Sequence, residues 1–157
     1  MMSNLQSYFV IDTIYLWINI GVLPFWLIIF LTPSSKINQI LINSFFLPLV
    51  LSSVYIYIVY KNVFFDQHLF NVFDLYWGLD ELYTLFSEES FLLLFWIHFL
   101  SINLFIGSWV SRDGIKYSIP KWIMFLPLLL IYLTGPVGFF LYWLIRVFFS
   151  RKIILYD

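Results

Sequence analysis

The chain has 157 residues and a net charge of −1; 62% of its residues are hydrophobic, 24% are aromatic and only 11% are charged. Ordinary soluble domains carry about 25% charged residues, so this composition excludes a water-soluble fold and predicts a membrane protein. The absence of cysteine excludes disulfides, thiolate catalysis and iron–sulfur clusters. The sequence contains no motif for nucleotides, metal hydrolysis or acyl transfer, so we expect no metal, no cofactor and no nucleic-acid partner.

Four apolar stretches of the sequence are long enough to cross a bilayer, whose hydrocarbon core of roughly 30 Å requires about 20 helical residues. We predict an all-α, polytopic membrane protein that forms a single membrane domain over residues 1–157. The four transmembrane helices are predicted over residues 13–31, 37–60, 91–111 and 121–149. The fourth stretch is longer than a bilayer requires, and Gly135 followed by Pro136 predicts a tilt or kink within it.

The connector between the second and third predicted spans is acidic and aromatic. Residues 61–90 contain six of the nine acidic residues against one lysine. Aromatic residues recur there at helical intervals opposite Asp74 and Glu81, a pattern typical of an amphipathic helix at the membrane–water interface. We therefore predict an interfacial amphipathic helix between the second and third spans.

The third predicted span carries two polar side chains that are costly in hydrocarbon. His98 shares a helical stripe with Ser101, Phe105 and Trp109. An ionisable group in a span normally has a function, here proton transfer or ligation of the metal of a pigment; the alternative is a neutral histidine that is hydrogen-bonded to a neighbouring helix. Asn103 is more simply explained by an interhelical hydrogen bond.

The end of the third span and the whole of the fourth supply further candidates. Asp113 lies where the third helix leaves the membrane, and it belongs either to a solvated turn or to a site at the helix end. On the fourth span, Gly135, Gly138, Tyr142 and Arg146 share one stripe. This stripe is either the wall of a ligand groove or a packing face whose arginine reaches the interface, and the spacing to Arg151 favours the packing face.

A signature made of three groups of residues runs through the sequence. The groups are Asn19 with Pro24-Phe25-Trp26, the stretch from Trp96 through His98, Asn103 and Trp109 to Asp113, and Gly135-Pro136-Val137-Gly138 followed by Tyr142 and Arg146. In these residues the chain resembles the ABA-deficient-four-like family over nearly its whole length. That family includes plant membrane proteins required for neoxanthin formation and bacterial, chiefly cyanobacterial, relatives. The resemblance implies four helices and a role in carotenoid metabolism.

The resemblance also implies a reaction, the isomerisation of the epoxycarotenoid violaxanthin to the allenic neoxanthin. This reaction requires a base for a proton of the polyene, an acid for the epoxide oxygen and no redox cofactor. Carried over to this chain, the resemblance implies His98 as the base or acid, with Asp113 or Arg146 as its polar partner at the membrane edge. The implied substrate-binding residues are Trp96, Asn103, Trp109, Gly135, Gly138 and Tyr142.

Two positions depart from the pattern of the family that the chain resembles. Asn103 stands where an aspartate is usual, and Ser108 stands where an arginine is usual. Loss of this acid–base pair favours the alternative of a non-catalytic protein that binds carotenoid or assists assembly of a photosynthetic complex. A third alternative is a small membrane subunit without a ligand.

The composition also bears on the source and location of the protein. The sequence has no alanine and many Phe, Ile, Leu, Asn and Tyr residues, which is typical of an AT-rich bacterial or organellar genome. Together with the resemblance, this predicts an integral protein of a bacterial, cyanobacterial-type inner or thylakoid membrane, or of a plastid membrane. The expected partners are a lipophilic carotenoid, the lipid bilayer and a membrane-protein partner.

Overall fold

A computed structural model describes residues 10–42, 46–64 and 73–151 of the chain. Within these ranges the secondary structure consists of eight helices and no strands, which confirms the prediction of an all-α fold. The helices are α1 (Ile11–Leu31), α2 (Lys36–Leu41), α3 (Phe46–Phe64), α4 (Asp74–Trp77), α5 (Leu79–Phe86), α6 (Glu89–Lys116), α7 (Lys121–Thr134) and α8 (Pro136–Ser150).

The prediction of four transmembrane helices is wrong, because the described residues contain two helices that are long and apolar enough to cross a bilayer. These candidate spans are α1, with 21 residues, and α6, with 28 residues. At about 1.5 Å per residue, α1 extends about 32 Å, which matches the thickness of a hydrocarbon core. Length and composition identify these two helices as candidate spans.

The second predicted span, residues 37–60, is divided between two helices. Ser35 caps α2 by accepting a hydrogen bond of 3.1 Å from the backbone N–H of Asn38, and α2 ends at Leu41 after six residues. Residues 43–45 lie outside the described part of the chain, and α3 begins at Phe46. α3 has 19 residues and is shorter than either candidate span.

The fourth predicted span, residues 121–149, is a helical hairpin. Gly135 has a φ of +70°, a conformation that residues with a side chain rarely adopt, and it separates the 14 residues of α7 from the 15 residues of α8. Pro136 then starts α8 with its φ already set for a helix. Each helix is therefore only about 21 to 23 Å long, which is shorter than a hydrocarbon core of roughly 30 Å. The predicted tilt or kink at this point is in fact a reversal of the chain.

Gly138 allows α8 to lie directly against α7. A Cβ atom at this position would lie 2.5 Å from the carbonyl oxygen of Pro127 and 2.6 Å from the carbonyl carbon of Leu130. Residues 127 and 138 would be about 16 Å apart along one continuous helix, so this contact requires that α8 fold back on α7. The close approach therefore depends on a residue without a side chain.

The connector before α6 forms two short helices. In α5, Leu85 is buried, whereas Asp80 and Glu81 of the first turn are exposed, where they complement the helix dipole. The ring of Phe86 packs edge-on against Phe95 of α6 at 4.7 Å. The described aromatic residues of the predicted pattern, Phe73, Tyr76 and Trp77, precede α5 and are exposed, and the interfacial amphipathic helix stays a prediction. Residues 65–72 of the predicted interfacial segment lie outside the described part of the chain.

The chain divides into two compact units whose boundaries fall inside α1, α3 and α6. The first unit comprises Met1–Gly21 and Leu49–Phe99, and the second comprises Val22–Pro48 and Leu100–Asp157. The buried apolar side chains of the first unit include Leu51, Ile58, Leu93, Leu94 and Ile97. Those of the second unit include Trp26, Ile29, Leu104, Val110, Leu128 and Ile131. A single membrane domain over residues 1–157 stays a prediction.

Trp26 joins three helices in the core of the second unit. Its indole is only 2% exposed, and a Cβ atom on Gly107 of α6 would lie 2.6 Å from the indole Cη2. The same ring meets Tyr132 of α7 edge-on at 5.3 Å. One turn further along α1, Phe30 packs against Phe125 of α7 at 5.4 Å. These aromatic contacts position α6 and α7 within this unit.

Replacing Gly138 with alanine should destabilise the hairpin, because the added methyl group meets backbone atoms of α7 that cannot move independently. We expect a loss of roughly 1–3 kcal/mol in the free energy of unfolding. The matched control is Gly21→Ala, since a Cβ atom at Gly21 has no neighbour within 4 Å and alanine is the better helix former. Thermal unfolding of the detergent-solubilised protein, followed by circular dichroism, checks this. Equal unfolding temperatures for the two variants would contradict the proposed close packing.

Candidate polar site at the end of α6

Four polar side chains of the second unit form one connected group, here named the Asp113 network: Asp113, Tyr117, Tyr142 and Arg146. The Asp113 Oδ2 atom accepts a hydrogen bond of 2.6 Å from Arg146 Nε and another of 2.5 Å from the Tyr142 hydroxyl. The Nη2 atom of Arg146 donates a hydrogen bond of 3.1 Å to the Tyr117 hydroxyl oxygen. The guanidinium carbon also lies 4.8 Å from the centre of the Tyr117 ring, in cation–π contact.

Helical spacing explains why these residues meet. Tyr142 and Arg146 are four residues apart on α8, and both therefore lie on one face. Asp113 and Tyr117 are also four apart, and the Tyr117 N–H donates to the Asp113 carbonyl oxygen at 3.1 Å, which continues the pattern of α6 by one residue. Two pairs with the same spacing thus face each other where α8 packs on the end of α6.

Arg146 is 0% exposed, although the sequence favoured an arginine that reaches the interface. A guanidinium that is removed from solvent must be paired, because an isolated buried charge costs several kcal/mol. The side chain of Asp113, 10% exposed, provides the opposite charge. The interface alternative is therefore wrong for Arg146.

The environment of the Asp113–Arg146 pair also determines the protonation state of Tyr142, which is on α8 and outside both candidate spans. Burial raises the pKa of the Tyr142 phenol above its ordinary value, and the hydrogen bond to the Asp113 carboxylate raises it further. Tyr142 therefore stays protonated and acts as a hydrogen-bond donor. Its role toward Asp113 is to hold the carboxylate in place together with Arg146.

An aromatic wall adjoins the Asp113 network. The indole of Trp109 meets the Tyr142 ring edge-on, with ring centres 5.9 Å apart and planes at 90°. Phe139 also packs against the Trp109 indole, with ring centres 5.9 Å apart. Because Trp109, Phe139 and Tyr117 are half-buried rather than fully buried, they offer apolar surface next to the polar group. The structure therefore brings together four of the predicted site residues, Trp109, Asp113, Tyr142 and Arg146.

Asn103 contacts the turn between α7 and α8. Its Oδ1 atom lies 2.5 Å from the position that a Cβ atom on Gly135 would occupy, so Asn103 and Gly135 are in direct contact. The side chain is 4% exposed, and its Nδ2 atom has no hydrogen-bond partner in the described part of the chain. An unsatisfied buried amide costs about 1–3 kcal/mol. Asn103 thus contacts the hairpin through packing, and the interhelical hydrogen bond predicted for its side chain stays a prediction.

Trp96 and His98 belong to the first unit. Trp96 donates a hydrogen bond of 3.1 Å from Nε1 to Asn19 Oδ1, and its ring stacks on Phe99 at 5.3 Å. His98 is exposed and forms neither a hydrogen bond nor an ion pair with the described residues. Fourteen residues of α6 lie between His98 and Asp113 in the sequence. The roles implied for Trp96 and His98 stay predictions.

Tyr117 is the member of the network that was not singled out from the sequence. The available signal was its spacing, because Tyr117 follows Asp113 by one helical turn. Within the part of the chain that the structure describes, no three His, Cys, Asp or Glu side chains come together as a metal site would require. The expectation of no metal and no cofactor stays a prediction.

A comparison with protein families identifies the family to which the chain belongs. The sequence profile of a family described as ABA DEFICIENT 4-like matches residues 13–142, which is most of the chain. The matched range includes Trp109, Asp113, Tyr117 and Tyr142, and it ends four residues before Arg146. No curated protein and no solved structure matches the chain.

Replacing Arg146 with methionine should leave the Asp113 carboxylate without its buried counter-charge. We expect the free energy of unfolding to fall by about 3–5 kcal/mol, as is typical when one member of a buried ion pair is removed. The double variant Asp113→Asn with Arg146→Met should lose less than the sum of the two single losses, because neither charge is then left alone. Chemical denaturation in detergent measures these energies.

The matched control for the ion pair is Arg112→Gln. Arg112 is the exposed neighbour of Asp113 in the chain and takes no part in the network. Its replacement should change the free energy of unfolding by no more than about 0.5 kcal/mol. Strictly additive losses in the double variant would show that Asp113 and Arg146 are not energetically coupled.

Proposed function

The chain belongs to the ABA DEFICIENT 4-like family, and from that premise we propose that it is an integral membrane protein of carotenoid metabolism that isomerises an epoxycarotenoid. The observation that carries this proposal is the Asp113 network. It joins a carboxylate, a guanidinium and two phenols beside an aromatic wall. These are the groups that a cofactor-free acid–base isomerisation of an apolar polyene requires.

The exposed apolar surface of the candidate spans supports a location in the membrane. Only 22% of the apolar window of α1 and 39% of that of α6 are buried within the protein, whereas the core helix of a soluble protein is mostly buried. Large side chains of α1 such as Leu16, Trp17 and Leu27 are more than half exposed, at 55%, 61% and 56%. In water such a surface would drive association, and a bilayer covers it.

The proposed reaction conserves all atoms and needs no redox partner. A base removes a proton from a polyene carbon, and the electron pair of the broken C–H bond forms the new double bond of the allene. The neighbouring C–O bond of the epoxide breaks, and its oxygen takes up a proton from an acid. One proton is lost and one is gained, so the product is an isomer of the substrate.

We assign the base to Asp113 and the acid to Tyr117. Asp113 is a carboxylate whose side chain retains 10% exposure, and Tyr117 is half-buried and therefore reachable. The hydrogen bond from Arg146 to the Tyr117 oxygen places a cation where negative charge develops as the phenol gives up its proton. Arg146 and Tyr142, both 0% exposed, are positioning residues for Asp113.

His98 is left out of this acid–base pair for a physical reason. Catalytic acids and bases are usually oriented by a hydrogen bond to a further group. His98 has no such partner among the described residues, and its side chain is exposed. Asp113 is oriented by two donors.

The second candidate function is a non-catalytic carotenoid-binding protein, and Asn103 and Ser108 favour it. These residues replace the aspartate and arginine that are usual in the family that the chain resembles. Both are buried, at 4% and 5% exposure, so the usual charged pair would lie in the interior, where ion pairs commonly serve chemistry. The aromatic wall formed by Trp109 and Phe139 would then serve binding alone.

The two candidates are separated by pigment chromatography in a host that accumulates violaxanthin. For an isomerase, we expect the protein to generate an allenic carotenoid and the variant Tyr117→Phe to reduce its yield by about 100-fold or more, the usual contribution of a general acid. The matched control Tyr83→Phe, which removes an exposed hydroxyl of the first unit, should leave the yield unchanged. His98→Ala should also remain active.

For a binding protein, the pigments of the host would be unchanged and a carotenoid would co-purify with the protein in mild detergent. Tyr117→Phe would then have no effect on the bound pigment, whereas Trp109→Leu would reduce it by removing the aromatic wall. If the host made no new carotenoid and no carotenoid co-purified with the protein, both candidate functions would be contradicted.

A further inference from the structure

A cavity of about 290 Å³ lies in the second unit, between the end of α6 and the start of α7. Most of its lining is apolar and includes Ile29, Phe30, Ile115, Met124, Phe125 and Leu128. None of the four residues of the Asp113 network lines it. The cavity is therefore a second potential binding site, separate from the site of the proposed isomerisation.

The cavity contains one hydrogen-bonding group without a partner. Ser111 lines it and is 4% exposed, and its hydroxyl has no hydrogen-bond partner in the described part of the chain. Buried hydroxyls are nearly always paired, because an unpaired one loses its bonds to water without replacement. A ligand with an acceptor oxygen would satisfy this hydroxyl.

The rim of the cavity is positively charged. Lys121 lines the cavity and is exposed, so its ammonium group can meet a ligand at the entrance. Residues 112–121 contain three cations, namely Arg112, Lys116 and Lys121, and a single acid, Asp113. Asp113 is paired with Arg146 and therefore does not neutralise Lys121.

An apolar interior, an unpaired hydroxyl and a cationic rim together define one class of ligand. We propose that this cavity binds one alkyl chain of an anionic amphiphile. The anionic group lies at Lys121, and an oxygen of the head group or its ester accepts a hydrogen bond from Ser111. The volume lies at the lower limit of ligand pockets, about 300 Å³, and so accommodates one chain rather than two.

Two sources supply this chemistry, a free fatty acid and an anionic phospholipid. The site shares no residue with the Asp113 network, so it does not depend on the isomerase proposal. Loss of ligand binding here would leave the carotenoid experiment unaffected, and failure of the carotenoid experiment would leave this site untouched.

Binding of palmitate to the full chain in nonionic detergent tests the proposal, with native mass spectrometry as the readout. We expect one palmitate per chain and markedly weaker binding of hexadecanol, which has the same chain without the charge. Lys121→Gln should weaken palmitate binding up to about fivefold, the range of an exposed ion pair. The matched control is Arg112→Gln, which removes a nearby exposed cation that does not line the cavity and should leave binding unchanged.

Ser111→Ala gives a second and independent readout. It should weaken palmitate binding about fivefold, the value of one neutral hydrogen bond. It should also raise the unfolding temperature of the ligand-free protein, because the unpaired hydroxyl is removed. A purely structural role for Ser111 would not produce these two changes in opposite directions.

Reconstitution of the full chain into vesicles of phosphatidylcholine, with or without phosphatidylglycerol, distinguishes the two sources of the amphiphile. Retention of phosphatidylglycerol after extraction identifies a phospholipid, whereas binding of palmitate without phosphatidylglycerol identifies a free fatty acid. Equal affinities for palmitate and hexadecanol, unchanged in Lys121→Gln and Ser111→Ala, would overturn the proposal. Absence of binding by both anionic ligands would overturn it as well.

Discussion

The complete burial of the Arg146 guanidinium is the constraint on which the candidate site depends. A cation without access to water persists only beside an anion and further hydrogen-bond acceptors, and here Asp113 and the Tyr117 oxygen provide them. Asp113 belongs to α6 and Arg146 to α8, so the ion pair fixes the contact between these two helices. The same carboxylate accepts the hydroxyl of Tyr142, which places the edge of its ring against Trp109. The electrostatic pairing therefore positions the aromatic wall as well as the charges.

The hairpin formed by α7 and α8 makes this pairing possible. The positive φ of Gly135 reverses the chain, and the absence of a side chain at Gly138 lets α8 rest on the backbone of α7. Had residues 121–149 formed one straight helix, Arg146 would lie about 38 Å along its axis from Lys121, away from the end of α6. A backbone reversal at one glycine thus decides that the polar face of α8 meets α6.

The two sites of the second unit differ in their chemistry. The Asp113 network is electrostatically satisfied and presents half-buried aromatic surface, which fits the proposed handling of an apolar polyene. The cavity beside Ser111 is apolar with an unpaired hydroxyl and a cationic rim, which fits the proposed amphiphile. Both lie near the end of α6, where an apolar helix gives way to charged residues. A membrane location would place that end at the level where lipid head groups are found.

The sequence by itself determined the all-α class, the apolar character of α1 and α6 and the family resemblance, and it singled out Trp109, Asp113, Tyr142 and Arg146, which the structure brings together. It could do so because composition, helical spacing and motif residues are local properties. It did not determine the number of candidate spans. The apolar run of 29 residues from 121 to 149 is compatible both with one tilted helix and with a helical hairpin. Nor could it pair Asp113 with Arg146, which are 33 residues apart, or show that the Ser111 hydroxyl has no hydrogen-bond partner among the described residues. Those outcomes depend on which helix faces meet, and only the tertiary structure decides that.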